Sequence, residues 1–223
     1  GIGIVGVRNS NFFGAGAYYV NLAASRSMIG LALSNSFPKV VAHGGLKPVL
    51  GTNPFAFGAP RANGDHLLFD MATSALAGST VREHLTTKNP LPEGLTADGA
   101  LLPFGGAKGF GLSLLVEILA GVITGAGVGD GVASMYNDFA RSGGNGHFLL
   151  ALDIKRWMDI ETYHARFEPL VASIKASGEH VLLPGEVRWE NYRESLQNGI
   201  ALDAVAAGNA RKAALAVGLT APW

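Results

Sequence analysis

The 223-residue sequence predicts a mixed α/β fold in which strands and helices alternate within one body. Short apolar runs bounded by glycine, proline and asparagine alternate with stretches of helical spacing. The runs 55–60 and 66–70 flank the polar turn Arg61-Ala-Asn-Gly-Asp65, which makes them an antiparallel pair. No internal repeat, low-complexity tract or linker interrupts the chain.

Residues 2–7 read as a buried strand and end in the polar turn Arg8-Asn9-Ser10-Asn11. Residues 14–26 have helical spacing with Tyr18, Val20 and Leu22 available for packing, and 28–33 form a second strand. Ser34-Asn35-Ser36-Phe37-Pro38 is a turn, and residues 43–54 are too polar and too rich in glycine and proline to be regular. At Asp70-Met-Ala-Thr-Ser74 the second strand of the pair gives way to a helix that these hydroxyls and carboxylate are suited to cap. Residues 79–102 are irregular, and 122–144 are Gly-rich and read as mobile or ligand-gated. A strongly apolar strand follows over 146–153, then an amphipathic helix over 158–176 and a short strand over 180–183. After the sharp turn Pro184-Gly185-Glu186 come helices over 189–197 and 204–217, the last capped by Asp203.

The stretch 102–111 has four glycines in seven residues and one lysine, Lys108, and runs straight into an apolar helix. The unpaired N–H groups and positive dipole end of that helix would face the glycine loop, an arrangement that holds phosphate or carboxylate. Close packing of a buried helix after a turn would ask for the same glycines, so the loop alone leaves both readings open. It matches neither a P-loop nor the Rossmann Gly-x-Gly-x-x-Gly.

Seventeen basic and seventeen acidic residues cancel, with no basic cluster to track a nucleic-acid backbone or an anionic membrane. Charged residues make up 15% of the chain and hydrophobic ones 48%, against about 25% charged in an ordinary soluble domain; this implies burial against a second chain. The absence of cysteine excludes disulfides, thiolate metal sites and cysteine nucleophiles. The most apolar run, 109–129, is broken by Glu117 and several glycines and reads as a core or interface helix, not a membrane span. The six histidines are scattered without metal-ligand spacing, so no metal site is expected. No serine sits in a Gly-x-Ser-x-Gly elbow, which leaves hydrolase chemistry unsupported. Glu117 is expected to satisfy a backbone or cationic partner. What remains is a set of glycine-polar turns at 10–14, 51–54, 70–74, 105–109 and 184–186, each at an element end, as a site for an extended ligand requires.

These turns together resemble the malate/L-lactate dehydrogenase family that lacks a Rossmann fold, which also includes ureidoglycolate, sulfolactate and diketogulonate enzymes and reductases of cyclic imino acids. The matching runs, in the family's order, are Asn9-Ser-Asn-Phe-Phe-Gly14, Leu50-Gly-Thr-Asn-Pro54, Asp70-Met-Ala-Thr-Ser74, Leu91-Pro-Glu-Gly94, Pro103-Phe-Gly-Gly-Ala-Lys-Gly109, Gly146-His-Phe148 and Leu183-Pro-Gly-Glu186. The resemblance implies a mainly antiparallel central sheet with flanking helices, an NAD- or NADP-dependent dehydrogenase or reductase, and a cytoplasmic homodimer. It implies a cofactor-binding domain over 14–190, with 1–13 and 191–223 parts of a second domain whose N-terminal remainder is absent from this sequence. Carried over residue by residue, cofactor contacts fall on Phe12, Phe13, Gly14, Ala15 and Gly16, on Ser36, on Asp70, Met71 and Ala72, on Lys108 and Gly109, and on Pro184, Gly185 and Glu186. Thr52 carries over as a substrate contact.

Three departures from the family matter. The family's chain begins before Gly1 with a Ser…His-Gly motif whose histidine donates a proton in some members, so the catalytic acid-base residue is not assigned here. The runs 98–102 and 79–91 are shortened, as if loop residues were omitted. The family's usual Asn-Ser-Asn-His-Phe-Gly has Phe12 in place of a histidine that transfers a proton in part of the family, and a phenyl ring does neither. The implied reaction is hydride transfer to or from a small 2-oxo or 2-hydroxy acid. The alternatives are reduction of a cyclic imino acid such as pyrroline- or piperideine-2-carboxylate, and a catalytically silent dinucleotide-binding homologue.

Overall fold

The computed structural model describes residues 1–78, 80–81, 84, 90 and 92–221. Its principal feature is a five-stranded sheet, antiparallel throughout, built from β1 (Ile2–Ser10), β2 (Met28–Ser34), β5 (Phe55–Ala59), β6 (Leu67–Met71) and β7 (Asn145–Asp153) in the order β1-β7-β2-β5-β6. The expected antiparallel pair is the β5/β6 hairpin. The apolar 146–153 run is the inner strand β7, which pairs along its length with both β1 and β2.

Helices cover both faces of this sheet, which is why its inner strands read as continuous apolar runs. Helix α1 (Gly16–Ala24) lies on β2 and β5. Its buried residues are Gly16, Ala17, Val20 and Ala24, whereas Tyr18 and Leu22 point outward. The small-residue face wins because the helix sits almost on the backbone of the sheet: a Cβ at Gly30 would lie 2.9 Å from Val20 Cα, and one at Gly58 2.9 Å from Val20 O. On the opposite face α2 (Ala107–Val116) continues into a π-helical turn, Glu117–Val122. There Leu33, Val116 and Ala120 form a fully buried cluster with Leu31, Phe55, Leu119 and Phe148 around it. Residues 30 and 31 of β2 thus serve opposite faces, as the two-residue repeat of a strand requires.

Several expectations are corrected. The strand 2–7 is real but exposed, with Ile2, Ile4 and Val5 more than half open, because it is an edge strand with little packed over it. Its polar end is an irregularity between Val7 and Ser10, with Asn9 at φ 54°, and not the end of the strand. The irregular run 43–54 contains β4 (Pro48–Leu50), which pairs with β3 (Val40–Val41) over a small core of Val40, Leu50 and Leu101. No strand forms over 180–183; one hydrogen bond from Leu68 N to Pro184 O holds that segment beside β6. The helix expected after Ser74 falls partly on residues outside those described, as do Leu91 of the quoted motifs and Ser79.

The chain divides into two units, Gly1–Gly185 and Glu186–Trp223. The first ends with helix α3 (Ile160–Ala176), capped by Asp159, and the segment through Gly185. The second holds α4 (Glu186–Asn198) and α5 (Ala204–Ala216), the latter capped as expected by Asp203. No helix among the described residues is long and apolar enough to cross a membrane.

Candidate functional site

A cavity of about 420 Å³ opens where the end of β1, the turn after β2 and the loop before β5 meet. That volume lies within the range of about 300–1,000 Å³ usual for small-molecule sites. Phe12 and Phe13, Ser36, and Thr52 line it, so four of the residues carried over for cofactor and substrate stand together although they are 40 positions apart in sequence. Ser36 and Thr52 are joined directly: Thr52 N donates to Ser36 Oγ at 3.0 Å, and the two hydroxyl oxygens are 3.3 Å apart.

Beneath the hydroxyls lies a buried polar network that sequence reasoning did not assemble. Glu117, 3% exposed, receives Asn53 Nδ2 at 2.7 Å, the Gly129 N–H at 3.0 Å and Asn35 Nδ2 at 3.4 Å. The backbone partner expected for this carboxylate is therefore present, and two side-chain amides take the place of a cation. Asn53 Oδ1 accepts from Ser36 N, and Asn35 Oδ1 accepts from Gly146 N, so each amide fixes a strand-end loop as well as the carboxylate. Asn53 holds the left-handed value φ 35°, a conformation that a non-glycine residue keeps only when its surroundings enforce it. The only sequence signal was a carboxylate inside an apolar helix; its partners lie 82 and 64 residues away.

The floor of the cavity continues into a stack of rings. Phe13 lies flat against Tyr19 and against His147, at 5.1 and 4.8 Å between centroids. Ser34 Oγ donates to Asn35 O at 3.1 Å and lies 2.9 Å from His147 Nδ1, while Nε2 of that ring is buried without a partner. Burial holds the His147 imidazole below its usual pKa, against the opposing pull of the Asn11 and Gly146 carbonyls. His66 is depressed likewise by burial, with Asp65 pulling the other way. An unfolded histidine titrates near 6.5, so between that value and the lower folded ones the unfolded chain binds more protons. Stability should be full above about pH 6.5 and be lost as the pH falls through it. Urea midpoints from about pH 7.5 down to 5 should show this decline, and His147→Asn, which keeps a polar partner for Ser34, should make it shallower. An unchanged slope would remove His147 from the account.

The other carried-over residues lie next to the cavity or apart from it. Asp70 Oδ2 accepts the Ala17 N–H at 2.9 Å, so it caps α1 and not a helix following it. The turn 70–74 stands between two loops: Thr73 N donates to Thr52 O and Phe104 N donates to Thr73 O, which ties the Thr52 loop to the lysine loop through one residue. Gly105 and Gly106 both take positive φ, 54° and 65°, and no side chain or acid caps the start of α2. Lys108 is exposed there and lies outside the cavity lining; Asp70 and Pro184-Gly185, half-buried, also lie outside it. Glu186 opens α4 in the second unit. The Gly-rich 122–144 stretch supplies a wall of the cavity, from Ala133 to Gly143.

Comparison with known proteins gives a consistent result. The sequence model of the malate/L-lactate dehydrogenase family matches residues 1–208. An L-sulfolactate dehydrogenase of Methanothermobacter thermautotrophicus is 36% identical over 217 residues, covering 91% of this chain and 63% of that protein. A Delta(1)-pyrroline-2-carboxylate/Delta(1)-piperideine-2-carboxylate reductase of Pseudomonas syringae pv. tomato is 34% identical over the same shares of the two chains. The solved sulfolactate dehydrogenase of Methanocaldococcus jannaschii superposes with a TM-score of 0.87 at 32% identity, over 99% of this chain and 68% of its own. The chain thus spans about 63% of the length of the curated relatives it matches.

Proposed function

Because the chain belongs to the malate/L-lactate dehydrogenase family, we propose that it is a nicotinamide-dependent oxidoreductase that moves a hydride to or from a small 2-oxo or 2-hydroxy acid. The observation that carries this reading is the meeting of Phe12, Phe13, Ser36 and Thr52 in one cavity. NAD or NADP supplies the hydride chemistry, and the chain supplies position, charge and exclusion of water.

The donor set suits such a cofactor. The uncapped start of α2 with exposed Lys108 offers N–H groups and one cation to a phosphate or ribose, and Gly109 keeps the turn tight with its N–H on Phe104 O at 3.0 Å. The segments 12–16, 70–72 and 184–185 complete the cofactor contacts of the first unit in this reading, within a proposed cofactor-binding domain of residues 14–190, with 1–13 and 191–223 as parts of a second domain. The exposed apolar side chains of β1, α2 and the π-helical turn, among them Ile4, Val5, Leu115 and Ile118, support a homodimer, which this reading assigns to the cytoplasm.

Losing one charge-assisted contact costs roughly 1.5–3 kcal/mol, so Lys108→Met should weaken binding of NADH or NADPH by about tenfold to a hundredfold. Fluorescence titration of the bound nicotinamide measures this. Binding as tight as in the parent, with unchanged circular dichroism, would overturn the assignment.

Phe12 favours a second substrate class within the same reading, cyclic imino acids such as those named for the Pseudomonas reductase. Its ring also keeps open a silent homologue that binds the dinucleotide without turnover. NADH and NADPH presented with a panel of 2-oxo acids and cyclic imines, followed by nicotinamide absorbance, separates these. Turnover identifies cofactor and substrate; cofactor binding without turnover on any member selects the silent homologue; no cofactor binding at all sinks the proposal.

A further inference from the structure

Arg141 and Asp138 are the two charged residues among those described that line the cavity, whose other walls are aromatic rings, hydroxyls, amides and the apolar Pro54, Ala133 and Met135. Asp138 Oδ2 holds Arg141 Nε at 2.6 Å. That contact occupies one edge of the guanidinium and orients it, while the two terminal amino groups make no hydrogen bond among the described residues. Those two groups present the parallel N–H pair that a planar acid group accepts from arginine.

The segment that carries this arginine is pinned at both ends. Ala133 N donates to Gly143 O at 2.8 Å and closes the segment, and Gly143 N donates to Asn11 Oδ1 at 3.0 Å, beside Phe12. Midway, Tyr136 meets the edge of Phe37 at 5.9 Å, and Lys39 Nζ lies 4.9 Å from the Tyr136 ring, which fastens the loop to the turn that bears Ser36. Arg141 is therefore delivered to the wall of the cavity that holds Ser36 and Thr52 by a closed loop.

We infer that Arg141 binds the acid group of the substrate and restricts the cavity to small acids, with Asp138 as the positioning residue that orients it. The inference rests on the oxidoreductase reading above and assigns its anion anchor. Asp138 takes Nε and leaves the Nη pair to the acid group, while its own charge offsets part of the arginine's attraction, so the preference for an acid comes from the directed N–H pair and not from the summed charge. The cavity suits a small acid beside one planar ring and is too small for a whole dinucleotide, which favours substrate over cofactor phosphate as the anion at this position.

The test compares pyruvate with its neutral amide, pyruvamide, in the full protein. Arg141→Gln should raise KM for pyruvate and oxaloacetate by roughly tenfold to a hundredfold, the size of one lost charge-assisted contact, while kcat/KM for pyruvamide and the Kd of NADH stay unchanged. Arg141→Lys should recover part of the loss. An equal loss on acid and amide, no loss on either, or weaker binding confined to NADPH would overturn the assignment; the last outcome would place the cofactor's extra phosphate on Arg141. Calorimetry with oxalate on the cofactor-loaded protein gives a readout independent of turnover. Oxalate bound by the parent and lost in Arg141→Gln supports the anchor even where the parent turns over no substrate, in which case the oxidoreductase reading alone falls. A parent that binds no oxalate and shows no preference for acids over amides overturns the inference.

Discussion

Glu117→Gln should destabilise the first unit by about 2–5 kcal/mol, although it changes one atom and removes a buried charge. The three groups around the carboxylate, Asn53 Nδ2, Asn35 Nδ2 and Gly129 N, are all donors. A carboxylate offers them only acceptors, whereas an amide turns one acceptor into a donor and sets it against an N–H whose nitrogen already spends its other hydrogen on a carbonyl, Ser113 O for Asn53 and Gly127 O for Asn35. If the amide nitrogen faces Asn53, that side chain can relieve the clash only by rotating its own oxygen away from Ser36 N, a bond of 3.1 Å that fixes the turn at the cavity. Two buried donors are then unsatisfied, each at about 1–3 kcal/mol. Relief of the desolvation of Glu117 acts in the other sense, but three hydrogen bonds to a charged acceptor, at roughly 1.5–3 kcal/mol each, outweigh it. Urea unfolding measures the effect, and the same variant should weaken substrate binding through Ser36 and Thr52. A midpoint equal to the parent's would mean that the carboxylate is not what orders Asn35 and Asn53.

What the sequence revealed and what it hid divide along the range of the interactions. The β5/β6 hairpin, the start of α2 at the glycine-lysine loop and the Asp203 cap are decided within a few residues, and each is present. Of the side chains that the helical spacing of α1 offers for packing, Val20 is buried while Tyr18 and Leu22 point outward, because Gly30 on the next strand and Gly58 on β5 set how closely the helix approaches. Asp70 reads locally as a cap for a following helix, yet it caps one 53 residues earlier. The four cavity residues 12, 13, 36 and 52 were legible only as pieces of family motifs, since no spacing rule joins Phe12 to Thr52. Asn35, Asn53 and Arg141 gave no local signal: asparagines beside turns are ordinary, and one arginine in a Gly-rich stretch acquires meaning only when the loop closes on Asn11.

Phe12→His should raise turnover of 2-oxo acids relative to cyclic imines by roughly tenfold to a hundredfold, somewhat below the usual contribution of a general acid. The side chain of Phe12 is 68% exposed and lines the cavity with Ser36 and Thr52, so an imidazole in its place would reach the same space without displacing a packed core residue. Phe13, next in sequence, is the ring stacked between Tyr19 and His147 and would stay where it is. Hydride addition to a 2-oxo acid leaves an alkoxide that needs a proton at once. A cyclic imine beside a carboxylate can arrive protonated on nitrogen, accepts the hydride directly and leaves a neutral amine, so it asks less of the protein. A phenyl ring at position 12 supplies no proton and makes the cavity drier, which penalises the keto acid more than the imine; His147 is no substitute, because it lies behind Phe13, outside the cavity lining. The measurement is kcat/KM for pyruvate, oxaloacetate and a piperideine or pyrroline carboxylate, in parent and variant, across about pH 5 to 9. The variant should gain an ionisation near that of an exposed imidazole, about 6.5, on the keto-acid profile. A ratio that does not move, with no new ionisation, would mean that position 12 does not face the reacting carbon, and the preference for imines would lose its physical basis while the assignments of Ser36, Lys108 and Arg141 would stand on their own tests.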